Sequence, residues 1–437
     1  MKADPYILED GAHIAVIGGG PTGSFFSIFA LKMAKMIGKE INVTVFEPKD
    51  FTKDGPLGCN RCGGIISELL VQTLAVEGIN LPDSLVQRGI NSYRLHTKQG
   101  SVYIATPAHE KTIATIYRGG GPKGIVGKDK ESFDKFLLDL AIKEGAVHKA
   151  IKIDHIQYEQ KRPVLFSKEQ KIHEPDLVVG AIGIKSKTSK ILEEMEFGYR
   201  RPSMITAAIA EISMDKATIS EYFGNSVNLF LLPVRHIKFA AMIPKGTYVT
   251  VCILGKNLKP ETVNEFMNHP VVRSVLPEKE KYTIDCRCLP FMNVRAPTIP
   301  FTDRVVTCGD AGSTRLFKDG LGAAYIMGKA AAKTAVFHGV GKQDFQKEYY
   351  PVYKSIIIDN WFGRLLFAAT DVFKDHSTLT KSMLDVVQKE QNESGKSRVL
   401  SSVLWDMFTG NERYKNIFKR AMNLPMFYDL LKGFARI

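Results

Sequence analysis

Apolar and polar positions change rhythm several times along the chain, and each change marks an element. Ile14-Ala-Val-Ile17 is apolar on both faces, as a strand inside a parallel sheet requires. It breaks into Gly18-Gly19-Gly20, after which Phe25, Phe26, Phe29, Met33 and Met36 recur at roughly helical spacing. Ile41-Asn-Val-Thr-Val-Phe46 reads as a second strand, ending in Glu47. A helix is predicted over 67–77, and a strand pair over 90–105 around Lys98-Gln99-Gly100. From Lys130 to Gly145 the apolar residues Phe133, Phe136, Leu137, Leu138 and Ala141 mark an amphipathic helix stopped by glycine. Strands near 151–158 and 162–167 and a buried one over 177–183 resume the helix–strand alternation. Residues 204–256 differ. Their alternation around 228–233, 237–244 and 247–254 predicts a mostly antiparallel layer, suited to roofing a substrate cavity. At Val305-Val306-Thr-Cys308-Gly309-Asp310 a buried strand returns, followed by Gly320-Leu321-Gly322 and an alanine-rich helix over 325–337. The last hundred residues read as helices with broad apolar faces and flanking basic residues. Such faces fit docking on the preceding domain or resting in a membrane interface.

The glycines carry the first chemistry. In Gly18-x-Gly20-x-x-Gly23 the first makes a tight turn, the second admits a pyrophosphate to the backbone, and the third packs helix against strand. Pro21 suits the first helical position, where its missing N–H costs nothing. Glu47 is placed to accept from ribose hydroxyls. Asp310, at a strand end ahead of a glycine-opened helix, can accept from a sugar-like hydroxyl while helix N–H groups meet an anion or a polar ring edge. In Gly58-Cys59-Asn-Arg61-Cys62-Gly63-Gly64 two adjacent glycines beside a thiol imply that backbone passes close to something flat or large. The later run Gly119-Gly-Gly121-Pro-Lys-Gly124 reads equally as a flap over a site or a plain surface loop.

The 437 residues suffice for two or three domains. The formal charge of +13 suits anionic lipid or an acidic partner protein, but the basic residues are spread thinly, so no nucleic-acid site is expected. Six cysteines are too few and too clustered for a disulfide framework and are expected reduced. Cys59, Cys62, Cys286 and Cys288 are a weak candidate metal set, and no metal is expected. With no leader ahead of the first strand and no spanning apolar run, a cytoplasmic protein is expected, with room for peripheral contact with the cytoplasmic face of a membrane.

Taken together, GxGxxG with Glu47, the late Gly309-Asp310 with Gly320-x-Gly322, and the Lys130-x-x-Phe133-Asp134 helix resemble the FAD-dependent oxidoreductases of the para-hydroxybenzoate hydroxylase fold. Within that fold, Cys62-Gly63-Gly64 resembles the Cys-Gly-Gly signature of the geranylgeranyl reductase family. The resemblance covers residues 12–340. It implies an α/β protein. A discontinuous Rossmann-like FAD-binding domain (1–90, 125–200 and 285–340) would carry an inserted antiparallel substrate domain (91–124 and 201–284) and a helical C-terminal region (341–437). It implies that Gly18, Gly20 and Gly23 take the FAD pyrophosphate, with Pro21 and Thr22 beside it. Glu47 would take the adenosine ribose, and Gly309 with Asp310 the ribityl chain. Gly320, Leu321 and Gly322 would lie along the isoalloxazine. Cys62, Gly63 and Gly64 would border the reactive face, with Cys62 the candidate catalytic acid. Lys130 stands at a cofactor-binding position where arginine is usual, which keeps the charge but loses the fork. Gly180-Ala181-Ile182-Gly183 lacks the acidic residue that the hydroxylases place there, and Phe239-x-Ala241-x-Ile243-Pro244 keeps only part of the reductases' aromatic signature. The implied activity is reduction of carbon–carbon double bonds in a prenyl or lipid-like substrate, fed by a protein donor such as ferredoxin. Electron transfer to quinone, or a monooxygenase reaction on the same fold, is the alternative.

Overall fold

In the computed structural model, the described residues are 6–53, 55–121, 131–184, 186–393 and 398–422. Lys130 lies outside them. The chain divides into two compact units, each assembled from three separate stretches.

The first unit comprises residues 1–51, 133–204 and 291–358. Its sheet runs in the order Phe301–Thr302, Val305–Thr307, Leu177–Gly180, Ala12–Ile17, Ile41–Phe46, Val147–Lys149, parallel except at the Phe301–Thr302 edge. Val16 aligns with Val45 on one side and Val179 on the other. Ile14, Ala15, Val16, Val178 and Val179 are fully buried, which explains why these strands are apolar without alternation. Ala12–Ile17 lies where the strand order reverses, the point at which open α/β sheets bind ligands beyond the carboxyl ends of their strands.

The helix Pro21–Met36 is buried around most of its first three turns, at Phe25, Phe26, Ile28 and Phe29. Each ring stabilises the unit by roughly 2–3 kcal/mol on burial. It packs on the helix Gly320–Phe337, where a Cβ on Gly328 would lie 3.0 Å from the Thr22 carbonyl oxygen, and Tyr325 meets the Phe25 ring edge-on at 5.7 Å. The predicted helix at 130–145 is Phe133–Glu144. The strands expected to resume the parallel alternation do not. His155–Glu159, Arg162–Ser167 and Gln170–His173 pair antiparallel in a separate three-stranded sheet. Their alternation is half-polar because one face meets solvent, whereas Leu177–Gly180 is buried throughout and joins the parallel sheet. The start of the C-terminal region is fixed here by two buried tyrosines, Tyr349 donating to the Thr307 carbonyl at 2.7 Å and Tyr353 to that of Pro297 at 2.8 Å.

The second unit comprises residues 52–132, 205–290 and 359–437. Its main sheet includes Thr283–Cys288, Ser203–Ser213, Tyr248–Gly255, Ile237–Pro244, Ser226–Leu231, Ser92–Thr97 and Ser101–Ala105, in that order. Its pairings are antiparallel apart from Ser226–Leu231 with Ser92–Thr97, as the alternation over 204–256 predicts. One face carries a core of Ala208, Ala210, Ile212, Val249, Val251, Met242 and Phe230. The opposite face carries the alternate residues. There the C-terminal helices dock: Trp405 lies tilted against Tyr93 with ring centroids 4.5 Å apart and donates its indole N–H to the Lys111 carbonyl, and Phe367 stacks on Phe239 at 5.5 Å. Among the described residues, no helix is long and apolar enough to cross a membrane.

Candidate functional site

In the first unit the turn after Ile17 is shaped by what its glycines exclude. Gly18 has φ +107°, and a Cβ there would fall 2.3 Å from the Ala181 carbonyl oxygen. On Gly23 a Cβ would fall 1.9 Å from the carbonyl oxygen of Gly18. Gly19 donates its amide to Glu47 Oε2 at 3.0 Å, and Glu47 Oε1 accepts the Lys49 amide at 2.8 Å. A carboxylate has about four lone-pair directions, so two remain for hydroxyls. Pro21 opens the helix, whose first N–H groups and positive dipole end face the same turn. Gly309, with φ +62°, meets this turn directly, since a Cβ there would lie 2.2 Å from Thr22 Oγ1. The two motifs, distant in sequence, therefore form one cradle. Asp310 presents an exposed side chain, and its carbonyl accepts from Asn293 at 3.1 Å.

Gly320-Leu321-Gly322 opens its helix as expected, and the reason for Gly322 is local. Asp319 caps the helix from a left-handed conformation, φ 49°, and accepts the Gly322 amide at 3.0 Å; a Cβ on Gly322 would overlap that carboxylate. Burial pushes the Asp319 carboxyl up, against the pull of Arg315 beside it.

Cys62, Gly63 and Gly64 lie in the second unit, on the sheet face opposite its core. The two glycines are crowded by side chains of this unit and, at Gly64, also by its backbone. A Cβ on Gly63 would lie 3.1 Å from Ile243 Cδ1 and 3.3 Å from Cys252 Sγ. On Gly64, with φ +65°, it would lie 2.5 Å from Lys245 Nζ and 2.6 Å from the Ile116 carbonyl oxygen. Cys62 is half-buried, and its sulfur accepts the Gly64 amide at 3.4 Å. Gly119 packs against the backbone of Gly58 and Cys59, its built Cβ 2.8 Å from the Gly58 oxygen, and Arg118 accepts the Asn60 amide. This part of the second glycine run is thus a packed loop; residues 122–124 lie outside the described ones.

Strand register fixes the rest of this face. Glu211 aligns with Thr250 on one side and Cys286 on the other, and Ile209 with Cys252 and Cys288. Glu211 is 5 % exposed and accepts from the Thr250 hydroxyl at 2.7 Å. Lys245, 2 % exposed, donates to the Ile116 carbonyl at 3.0 Å and lies 5.7 Å from the Tyr248 ring centroid. Burial raises the Glu211 carboxyl to about 7 despite Lys245 and the Thr250 hydroxyl, and lowers the Lys245 ammonium against the opposing pull of Glu211. Burial also pushes up the thiols of Cys252, Cys286 and Cys288, the last to about 12. Among the described residues no group of three or more His, Cys, Asp or Glu is arranged to hold a metal ion.

Neither Glu211 nor Lys245 was singled out by the motifs. The available signal was a lone carboxylate in the otherwise apolar Ala207-Ala-Ile-Ala-Glu211-Ile212, and a lysine directly after Ile243-Pro244.

No protein-family model matches the sequence, and no curated protein matches it. Solved structures do match. A geranylgeranyl bacteriochlorophyll reductase-like protein from Thermoplasma acidophilum is 17 % identical, with 98 % of this chain and 100 % of that one covered and a TM-score of 0.66. This chain has a flavoprotein fold. A flavoprotein/dehydrogenase from Cytophaga hutchinsonii matches at 14 % identity over 97 % and 100 % of the two chains, with a TM-score of 0.66. The p-nitrophenol 4-monooxygenase of Pseudomonas putida matches at 12 % identity over 91 % and 97 %, with a TM-score of 0.58. At these identities the likeness establishes architecture, and the three names describe three different reactions.

Proposed function

We propose that the protein is a FAD-dependent oxidoreductase that reduces carbon–carbon double bonds of a prenyl or other lipid-like substrate. The observation that carries the cofactor is the cradle of the first unit. Gly18, Gly23 and Gly309 each meet an obstacle that a single added carbon would strike, and Gly19 is tied to the carboxylate suited to a ribose. These residues fit an adenine dinucleotide. Gly18, Gly20, Pro21, Thr22 and Gly23 would hold its pyrophosphate, Glu47 the adenosine ribose, and Gly309 with Asp310 the ribityl chain, with Gly320, Leu321 and Gly322 along the ring.

Bound and reduced, FAD supplies a hydride. The chain's residues would orient the substrate, exclude water and provide the matching proton. The name of the Thermoplasma acidophilum relative and the Cys62-Gly63-Gly64 motif support the reductase reading. A positive overall charge suits an acidic protein donor such as ferredoxin, and equally an anionic membrane surface on the cytoplasmic side.

A second reading, oxygenation by a flavin monooxygenase, draws on the likeness to the p-nitrophenol enzyme; a dehydrogenase passing electrons to quinone draws on that from Cytophaga hutchinsonii. Anaerobic incubation with dithionite and geranylgeranyl lipids, followed by mass analysis, separates them. Gain of two hydrogens per double bond without oxygen supports the reductase. Product formed only in air supports the monooxygenase, and reduction of added quinone without saturation supports the dehydrogenase.

A further inference from the structure

The helix Tyr350–Asp375 is apolar on more than the face it buries. Inward, Leu366 and Phe367 are buried, and Phe367 stacks on Phe239. Outward, Trp361, Leu365, Ala368 and Val372 recur at spacings of three and four residues, which sets them on one face. All four are exposed, Trp361 by 52 % and Val372 by 51 %. A helix that only docks on its own protein carries polar residues at such positions.

A second helix, Tyr414–Ala421, borders this stripe. Asp359 accepts the Tyr414 and Lys415 amides at 3.1 and 2.9 Å, and the Phe418 ring centroid lies 5.4 Å from that of Phe362. Gly363 makes room for the Tyr414 ring, which a Cβ there would meet at 2.7 Å. On the exposed side of this helix next to Phe418 are Lys415, Lys419 and, just past its end, Met422. Exposed Arg364 marks the opposite edge of the stripe. The acidic groups nearby are Asp371, held by Lys238 at 2.6 Å, Asp375 at the end of its helix, and Glu412, which accepts from Asn416 at 2.8 Å.

We propose that this face rests on an anionic lipid surface, with Trp361, Leu365, Val372 and Met422 entering the acyl boundary and Arg364, Lys415 and Lys419 meeting headgroup phosphates. The proposal stands apart from the redox chemistry and holds whichever flavin reaction the protein performs. An apolar strip edged by cations is what an interfacial helix presents to such a surface, and tryptophan, apolar in body with a polar N–H, suits the boundary itself. Neither helix is long and apolar enough to cross the bilayer, so both lie along it. A second copy of the chain fits less well. The stripe offers apolar area on the order of 300–400 Å², against roughly 800 Å² per partner in a standard dimer. Cations also border it on both sides, so a two-fold pairing sets cation against cation.

The test uses the full-length protein and two surface variants, Trp361→Gln with Leu365→Gln, and Lys415→Gln with Lys419→Gln. Circular dichroism and melting temperature verify that both fold. Sedimentation with vesicles of phosphatidylcholine, alone or with phosphatidylserine at about 7:3, is the first readout. The wild type should sediment with the mixed vesicles, bind phosphatidylcholine far more weakly, and come off as salt is raised. Each variant should bind the mixed vesicles about tenfold or more weakly than wild type. The second readout is fluorescence. The chain has two tryptophans and Trp405 is fully buried, so quenching by brominated acyl chains reports Trp361 and should vanish in the variant that lacks it. A wild type that stays in the supernatant, or variants that bind within about twofold of it, overturns the proposal. A dimer in sedimentation velocity that Trp361→Gln with Leu365→Gln dissolves, with no vesicle binding, overturns it as well and gives the face to a second copy.

Discussion

The glycine cradle of the first unit and the Glu211 face of the second solve opposite problems. The cradle is defined by atoms that must be missing, since an added carbon at Gly18, Gly23 or Gly309 meets backbone or the Thr22 side chain. The Glu211 face is defined by groups that should not be buried and are: a carboxylate and an ammonium, each at most 5 % exposed. The first is governed by steric exclusion, which has no pH dependence and little tolerance. The second is governed by desolvation opposed by a few polar contacts, so it is tunable and costs stability.

The largest effect is expected where exclusion is strictest. Gly23→Ala places its Cβ against the backbone oxygen of Gly18, which cannot swing aside. Absorbance titration of the purified variant should show FAD affinity reduced at least about 100-fold, or roughly 3 kcal/mol. Retention of wild-type affinity would break the contrast outright. The Glu211 face should instead declare itself in how stability varies with pH. The folded carboxyl is raised to about 7 from an ordinary 4.5, so between those values the native state binds more protons than the unfolded chain. Stability therefore falls as pH rises through this window, by up to about 3 kcal/mol. Melting curves of the wild type, compared with Glu211→Gln from pH 4.5 to 8, should diverge in that sense, with the wild type losing ground as pH rises.

Glu47→Ala tests a polar element of the cradle. It removes the acceptor of the Gly19 and Lys49 amides and should weaken FAD binding by about 1–2 kcal/mol, roughly tenfold, with Glu47→Gln losing less. The mildest change is Thr250→Val. It withdraws the hydroxyl that stabilises ionised Glu211, so the infrared titration midpoint of this carboxyl should move upward, by an amount equivalent to about 1 kcal/mol or less. A downward movement would mean that Thr250 stabilises the acid form instead.

The same contrast explains what could be read from the chain. The cradle was legible because glycine at fixed spacing after a strand has few other uses, and because Gly309-Asp310 repeats the strand-to-glycine pattern. The antiparallel layer over 204–256 was legible from period-two alternation. The strands expected near 151–158 and 162–167 exist but pair in a separate antiparallel sheet, because alternation names a strand without naming its partners. Glu211 and Lys245 escaped for a related reason: their meaning depends on Thr250, Ile116, Gly64 and Gly120, which only the folded sheet and its loops gather. The sequence expects something flat or large beside Gly63 and Gly64; the neighbours that crowd them, Ile243, Cys252, Lys245 and Ile116, come from other parts of the second unit.

The packing of Thr22 against Gly309 also sets a timetable for biogenesis. A ribosome delivers residue 22 early and residue 309 only after most of the chain has emerged, at about 5–20 residues per second. The nucleotide pocket consequently has no counterpart on a shorter nascent chain. A dinucleotide held as proposed would therefore be acquired late in translation or after release.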